Sequence, residues 1–262
     1  MQTAWEHVVV VENTRERGVS VSRNVGVAAA RGHVIAFLDD DAVAAPTWLA
    51  TLLQVHESEL PLGVGGHVRP HWHDGQPAWF PAEFGWVVGC GYRGLPVHQA
   101  AVRNIIGANM SFRKDVLDEL GGFDGRLGRV GSVPLGCDET ELCVRAHRRW
   151  PNGKIIYDPR AVVTHRVSRA RSTLRYFVAR CYSEGRSKAL VRERAGRAGV
   201  LSTELAYTLR TLPAGVARGF REARSGDLFG LLRAAAIILG LGVTTAGFAV
   251  GRLGRSTSPR HA

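Results

Sequence analysis

Three consecutive carboxylates, Asp39, Asp40 and Asp41, follow directly on the short apolar run Val34–Leu38, VIAFL. Like charges set side by side repel, and carboxylates held at a strand end are usually relieved by pairing or by a metal. A hard divalent ion such as Mg2+ or Mn2+, bridging to phosphate oxygens, would settle that repulsion. A solvated acidic turn is the plain alternative for such a run taken alone. A second acidic group, Asp138, Glu139 and Glu141, opens the helical pattern ETELCVRAHRRW. Acids there are stabilised by the helix dipole, which by itself accounts for one or two of them. His165 closes the apolar stretch Ala161–Thr164; a lone histidine after a strand is more often structural than a ligand.

The elements that must position these groups read as an alternating α/β chain. VIAFL has the length of a buried parallel strand, and open α/β sheets hold ligands at the carboxyl ends of such strands. Ahead of it, Ser22-Arg23-Asn24 leads into an Ala-rich helix closed by Gly32; after it, Pro46 starts the helix TWLATLLQVHE. Residues 7–12, HVVVVE, read as a central strand, and Leu62–Arg69 as a strand in which Gly65-Gly66 permits a bulge or close approach. The aromatic and Pro-rich stretch over 69–96 is too irregular for regular structure. Long ordered loops are usually functional, and aromatic faces suit sugar rings. His71 and His73 in it, with His67 just ahead, form a weak metal candidate. Residues 102–112, VRNIIGANMSF, read as a buried strand, Lys114–Leu120 as a short helix capped by Gly121-Gly122, and KIIY and AVVT as two strands around an Asp158-Pro159 turn.

Motif by motif, this resembles the family 2 glycosyltransferases of the GT-A fold. The family pattern G-x-S-x-x-R-N-x-G, helix, apolar strand, L-D-x-D and P-x-W-L matches Gly18 to Leu49. GANMSFR at 107–113, the acidic pair at 138–139 and the x-P-x-A-x-V-x-H ending at His165 follow in order. The resemblance implies a Rossmann-like nucleotide-sugar sheet flanked by helices, with Arg23, Asn24, Asp39 and Asp40 at the donor. Gly107, Ala108 and Asn109 would pass beneath the donor sugar. Asp39, Asp41 and His165 would hold Mg2+ or Mn2+. A carboxylate of the second cluster would be the general base. The family reads E-D there and this chain reads D-E, so that Glu139 takes the base position and Asp138 the supporting one, with either acid open. The family's P-x-Y/H-N and V-D-N-x-S-x-D motifs, which precede the third strand, are not present. This implies a start placed too late, a shortened gene, or a base site built differently.

Composition separates the chain into two parts. With 262 residues, 45% of them hydrophobic, it buries a sizeable core. Residues 1–165 carry 16 Lys+Arg and 18 Asp+Glu, whereas residues 166–262 carry 18 and 5, so the formal +11 is a property of the tail. No helix-turn-helix, RRM or zinc-finger pattern accompanies the charge, which excludes the common nucleic-acid modules. The four cysteines, Cys90, Cys137, Cys143 and Cys181, have no zinc-like spacing and read as reduced thiols. On the helical stretch 171–195, Arg186 and Lys188 suit a diphosphate clamp, a solvated face being the equal alternative. Ala234–Gly251 has 18 residues without a charge between Arg233 and Arg252, enough to reach across, re-enter or lie on an anionic cytoplasmic membrane face, a buried core helix being the alternative.

The expectation is therefore a GT-A domain over 1–195 and a helical, basic and apolar region over 196–262. Together they form an inverting, metal-dependent enzyme using a nucleotide-diphosphate sugar and a glycan or lipid-linked acceptor. The alternative is a truncated, catalytically silent remnant acting as a membrane-associated interaction module.

Overall fold

The computed structural model describes residues 8–13, 18–128, 136–195 and 205–253, with backbone alone for 193–195. In chain order the elements are α1 (Val19–Ala29), β1 (Val34–Leu38), β2 (Ala42–Ala44), α2 (Trp48–Glu59) and β3 (Gly63–Trp72). They continue with a 3-10 helix (Ala82–Val88), β4 (Ala100–Ala101), β5 (Asn109–Arg113), α3 (Lys114–Leu120) and α4 (Asp138–Arg149). Last come β6 (Ile155–Val167), α5 (Leu174–Ala195), a π turn (Tyr207–Thr211), α6 (Leu212–Arg224) and α7 (Phe229–Leu253).

The sheet runs β1-β5-β3-β6-β2, with β4 beside β6. Among the described residues only β3 and β6 run parallel. The chain passes from β1 at one end of this order to β2 at the other through Asp39–Asp41 alone. Four residue steps span at most about 14 Å, whereas the outer strands of a flat five-strand sheet stand about 19 Å apart. The sheet therefore has to bend, and it does so at a register shift between Gly66 and His67 opposite Asp158–Val162. A Cβ on Gly66 would sit 1.9 Å from the Ala161 carbonyl oxygen, so the bend depends on glycine there, as the Gly65-Gly66 pair suggests.

Helices cover both faces. Val27, Ile35, Met110, Phe112, Leu117 and Leu142 form one core between α1, α3, α4 and the sheet. Trp48, Leu52 and Val55 of α2 pack on Val64 and Val163. Phe80, Phe84, Phe177, Leu212 and Ile237 join the aromatic stretch to α5, α6 and α7. Helix α7 approaches α5 through small residues: a Cβ on Gly247 would lie 2.2 Å from the Tyr182 carbonyl oxygen.

Several expectations need correction. Strand β1 is paired only antiparallel, to β5, and its Leu38 is exposed, because it lies at the end of the strand order rather than inside a parallel sheet. Val8–Val11 form no strand and are exposed; a β-branched run becomes a strand only when a partner completes its ladder. Helix α1 ends at Ala29 with Ala30 extended, so Gly32 caps nothing. KIIY and AVVT are one strand, β6, kinked at the bend rather than turned back. The strand expected over 102–112 is confined to Asn109–Arg113, and the aromatic stretch contains the 3-10 helix.

Candidate functional site

Asp41 meets His165 because β2 pairs antiparallel with β6, setting Ala42 opposite His165, and the Arg166 N–H donates to the Asp41 carbonyl at 2.8 Å. His165 Nε2 lies 3.0 Å from Asp41 Oδ1. The ligand atoms of Asp39, Asp41 and His165 fall within 4.8 Å of one another. Two carboxylates and an imidazole at that spacing fit a hard divalent cation of the Mg2+ or Mn2+ kind. His165 is buried and held from behind by Cys90 Sγ, 3.7 Å from Nδ1. Burial pushes the Cys90 thiol up to about 12, so it stays protonated. Arg171 reaches the same place, its Nη1 3.3 Å from Asp41 Oδ2 and 3.5 Å from His165 Nε2.

The second acidic cluster opens α4, whose preceding residue Cys137 has a left-handed backbone, φ 70. Asp138 turns inward and is almost fully buried; Arg23 Nη1 lies 2.5 Å from its Oδ2, and Ser20 Oγ donates to the same oxygen at 3.3 Å. Arg23 also donates to Asp39 Oδ1 at 3.3 Å and to the Gly107 carbonyl at 3.2 Å. It thus braces one acidic cluster against the other. Burial works against the Arg23 charge, but Asp138, Asp39 and Glu139 outweigh it and raise its pKa. Glu139 faces the cavity. Burial, the Asp138 charge and a hydrogen bond to Asp138 hold its pKa well above the usual carboxylate range.

Both clusters line one cavity of about 860 Å3, together with Arg23, Asp40, Gly107, Ala108 and Lys188. Three expected site residues do not. Asn24 clasps the turn after α3, donating to the Phe123 carbonyl at 2.7 Å and accepting from its N–H at 2.7 Å. Asn109 is fully buried between strands, donating to the His67 and Ala161 carbonyls and accepting from Trp48 Nε1 at 2.8 Å. Arg186 is exposed, two residues and thus most of a half-turn away from Lys188 on α5. The histidines of the aromatic stretch do not join the acids: His67 contacts Tyr157 and His73 contacts Asp74.

Sequence reasoning missed Arg171, Arg180, Glu184, Trp86, Tyr92 and Tyr207, all of them in the cavity wall. Arg180 Nη1 lies 2.9 Å from Glu184 Oε2, and the Cys137 thiol donates to Glu184 Oε1 at 3.2 Å. Burial opposes ionisation of Glu184, but Arg180 and Lys188 keep its pKa low. Charge patterning marked the Arg-rich stretch but could not say which arginines turn inward.

A mixed sheet with an acidic turn and a histidine brought together where β2 meets β6 is that of the GT-A glycosyltransferase fold. Residues 1–121 match the family Glycosyl transferase family 2. The chain is 37% identical over 187 residues to the glucosyl-dolichyl phosphate glucuronosyltransferase of Haloferax volcanii, covering 71% of this chain and 59% of that one. It is 28% identical over 171 residues to the succinoglycan biosynthesis protein ExoM of Rhizobium meliloti, covering 64% and 51%. It thus spans 59% and 51% of the length of these two curated relatives. Among solved structures it is similar to the mannosyltransferase PcManGT of Pyrobaculum calidifontis, solved with GDP-Man and Mn2+. That match has a TM-score of 0.55 and 16% identity, covering 95% of this chain and 70% of the other.

Proposed function

We propose that this chain is a metal-dependent, inverting glycosyltransferase. It moves a sugar from a nucleotide-diphosphate donor to a hydroxyl of a glycan or lipid-linked acceptor, at the cytoplasmic face of a membrane. One observation carries the reading: Asp39, Asp41, His165 and Glu139 converge on a single cavity. Asp39, Asp41 and His165 would hold Mg2+ or Mn2+, which when bound neutralises the departing diphosphate as a Lewis acid. Glu139 is the general base, taking the proton of the acceptor hydroxyl at its carboxylate. Asp138, engaged by Arg23 and Ser20, keeps the helix start in place and is not free to approach a substrate. Attack from the Glu139 side, opposite the leaving group, inverts the sugar. Gly107 and Ala108 leave room for it, and Lys188 supplies positive charge deeper in the wall.

The lipid-linked acceptor is supported by the substrate in the Haloferax protein's name and by α7. This helix has 25 residues, of which an 18-residue stretch has a mean hydropathy of 1.9, and Leu231, Leu232, Ile238, Leu239 and Val250 are exposed on it. We assign residues 1–195 to the GT-A domain and 196–262 to a helical region that closes one cavity wall with Tyr207 and attaches to the membrane through α7.

Calorimetric titration with UDP- and GDP-sugars in Mn2+ tests the reading. Asp41→Ala and His165→Ala should each abolish metal-dependent binding with unchanged circular dichroism; unaltered affinity in both would overturn the metal assignment. The silent-remnant reading is favoured by the outer edge of β1, which has no partner among the described residues. It predicts no nucleotide-sugar binding in the wild type.

A further inference from the structure

One wall of the cavity is aromatic and is explained by neither acidic cluster. Trp86, Tyr92 and Tyr207 all line the cavity and are all partly exposed. Tyr92 and Tyr207 meet edge to face with ring centroids 5.6 Å apart. Trp86 Nε1 donates to the Tyr207 hydroxyl at 3.1 Å, and that hydroxyl donates to the Glu83 carbonyl at 2.6 Å. With these polar atoms engaged inside the wall, what it offers a ligand is mainly ring surface.

The position of the wall matters as much as its composition. Gly89, at φ +78, packs on the metal-site histidine: a Cβ there would lie 3.5 Å from His165 Cε1. Trp86 and Tyr92 flank Gly89 and Cys90, so the aromatic wall begins beside the metal triad. Tyr207 comes from the far end of the sequence, at the start of a π turn, a feature frequent at functional sites. The two parts are fastened below by Glu83, fully buried in the 3-10 helix and paired with Arg218 of α6. Such a wall is held rigid before any ligand arrives, which lowers the entropy lost on binding.

We propose that Trp86, Tyr92 and Tyr207 form an acceptor subsite that stacks a pyranose ring, with Tyr207 contributed by the C-terminal helical region. This rests on the glycosyltransferase reading above. A pyranose carries C–H groups on its faces, which pack on aromatic rings, and hydroxyls at its rim, which stay with polar partners. The cavity provides both, since Asp39, Asp40, Arg103 and Glu139 line it along with the rings. A lipid chain in the same place would leave those polar groups facing hydrocarbon, which is costly. The subsite therefore suits a sugar rather than a lipid chain.

Saturation-transfer NMR on the full chain tests this, using octyl β-D-glucopyranoside below its micelle concentration and octanol as the chain-only control. Calorimetry with UDP and GDP in Mn2+ runs alongside. Trp86→Ala and Tyr207→Ala should each weaken the glucoside by about tenfold, the loss of one stacked ring, with nucleotide affinity unchanged. Tyr207→Phe, which keeps the ring, should retain glucoside binding. Equal glucoside binding in both Ala variants would overturn the subsite. So would octanol binding as well as the glucoside and being lost with it, or Tyr207→Ala losing the nucleotide too. Glucoside binding as expected, with no nucleotide binding even in the wild type, would support the sugar subsite and count against the transferase reading.

Discussion

Replacing Arg23 by Met keeps the length of the side chain but removes the guanidinium that joins the two acidic clusters. Its contacts at 2.5 Å to Asp138, 3.3 Å to Asp39 and 3.2 Å to the Gly107 carbonyl would all be lost. Arg23 and Asp138 side chains are 11% and 5% exposed, so little water is at hand to replace the cation. Stranding one partner of a buried pair costs about 3–5 kcal/mol. The lower end applies here, because Ser20 still donates to Asp138 and the Asp39 side chain is 34% exposed. At about 2–4 °C per kcal/mol for a chain of this size, a loss of about 3 kcal/mol lowers Tm by about 6–12 °C. Arg126→Met is the control, since its partner Asp124 is held by an arginine that is 77% exposed, and it should cost about 1 kcal/mol or less. Urea melts at pH 7 provide the assay. The Arg23→Met midpoint should fall with m unchanged. The double variant Arg23→Met/Asp138→Asn should cost less than the sum of its parts. Equal losses for Arg23→Met and Arg126→Met would refute the brace.

Glu139→Gln should lower transfer at least about a hundredfold while keeping donor binding. The same variant should raise Tm at pH 7 but not at pH 4: an acid whose folded pKa is raised costs stability above its unfolded value of 4.5, and the amide removes that cost. An unchanged Tm at both pH values would remove the buried-acid account. His56, whose pKa burial and the Arg113 charge lower to about 4, contributes stability that is complete above pH 6.5. That stability is lost as pH falls toward 4, about 3 kcal/mol in all. Urea melts of His56→Leu should show a flatter acid limb; an unaltered limb would rule the histidine out as its cause. Full-length protein should fractionate with membranes and a version ending at Asp227 should not; both staying soluble at low salt would make α7 a core helix.

What the sequence revealed was local chemistry. Lys114–Leu120 is the helix its pattern indicates, closed by Gly121 and Gly122 at φ 70 and 71, because capping is decided within a few residues. The acids of α4, the bend at Gly65-Gly66 and the four buried free cysteines were legible for the same reason. The misses came from longer range. Asn109 reads as a donor-sugar contact until two neighbouring strands and Trp48 are seen to use up its amide. Val8–Val11 have every local property of a strand, but pairing is supplied by neighbours and not by the run itself. Tyr207 carries no sequence signal at all, since its role depends on a loop more than a hundred residues earlier.

The order Asp138-Glu139 has a structural meaning that neither residue shows alone. Adjacent residues on a helix point about 100° apart, so the two acids, though both border the cavity and share a hydrogen bond, have different surroundings. The inward position is crowded: Asp138 fits beneath Ser20 and Arg23, and a Cβ on Gly128 would already lie 3.4 Å from its carboxyl carbon. The shorter acid belongs where the space is closed, and the longer one where a carboxylate has to reach a substrate. Arg23 then separates their roles electrostatically. It lies directly on Asp138, whereas Glu139 feels burial and the Asp138 charge more strongly and holds its proton tightly. A cation or acceptor entering the cavity would change that balance at Glu139 first, which is the behaviour a base needs if it is to ionise only when its substrate is in place.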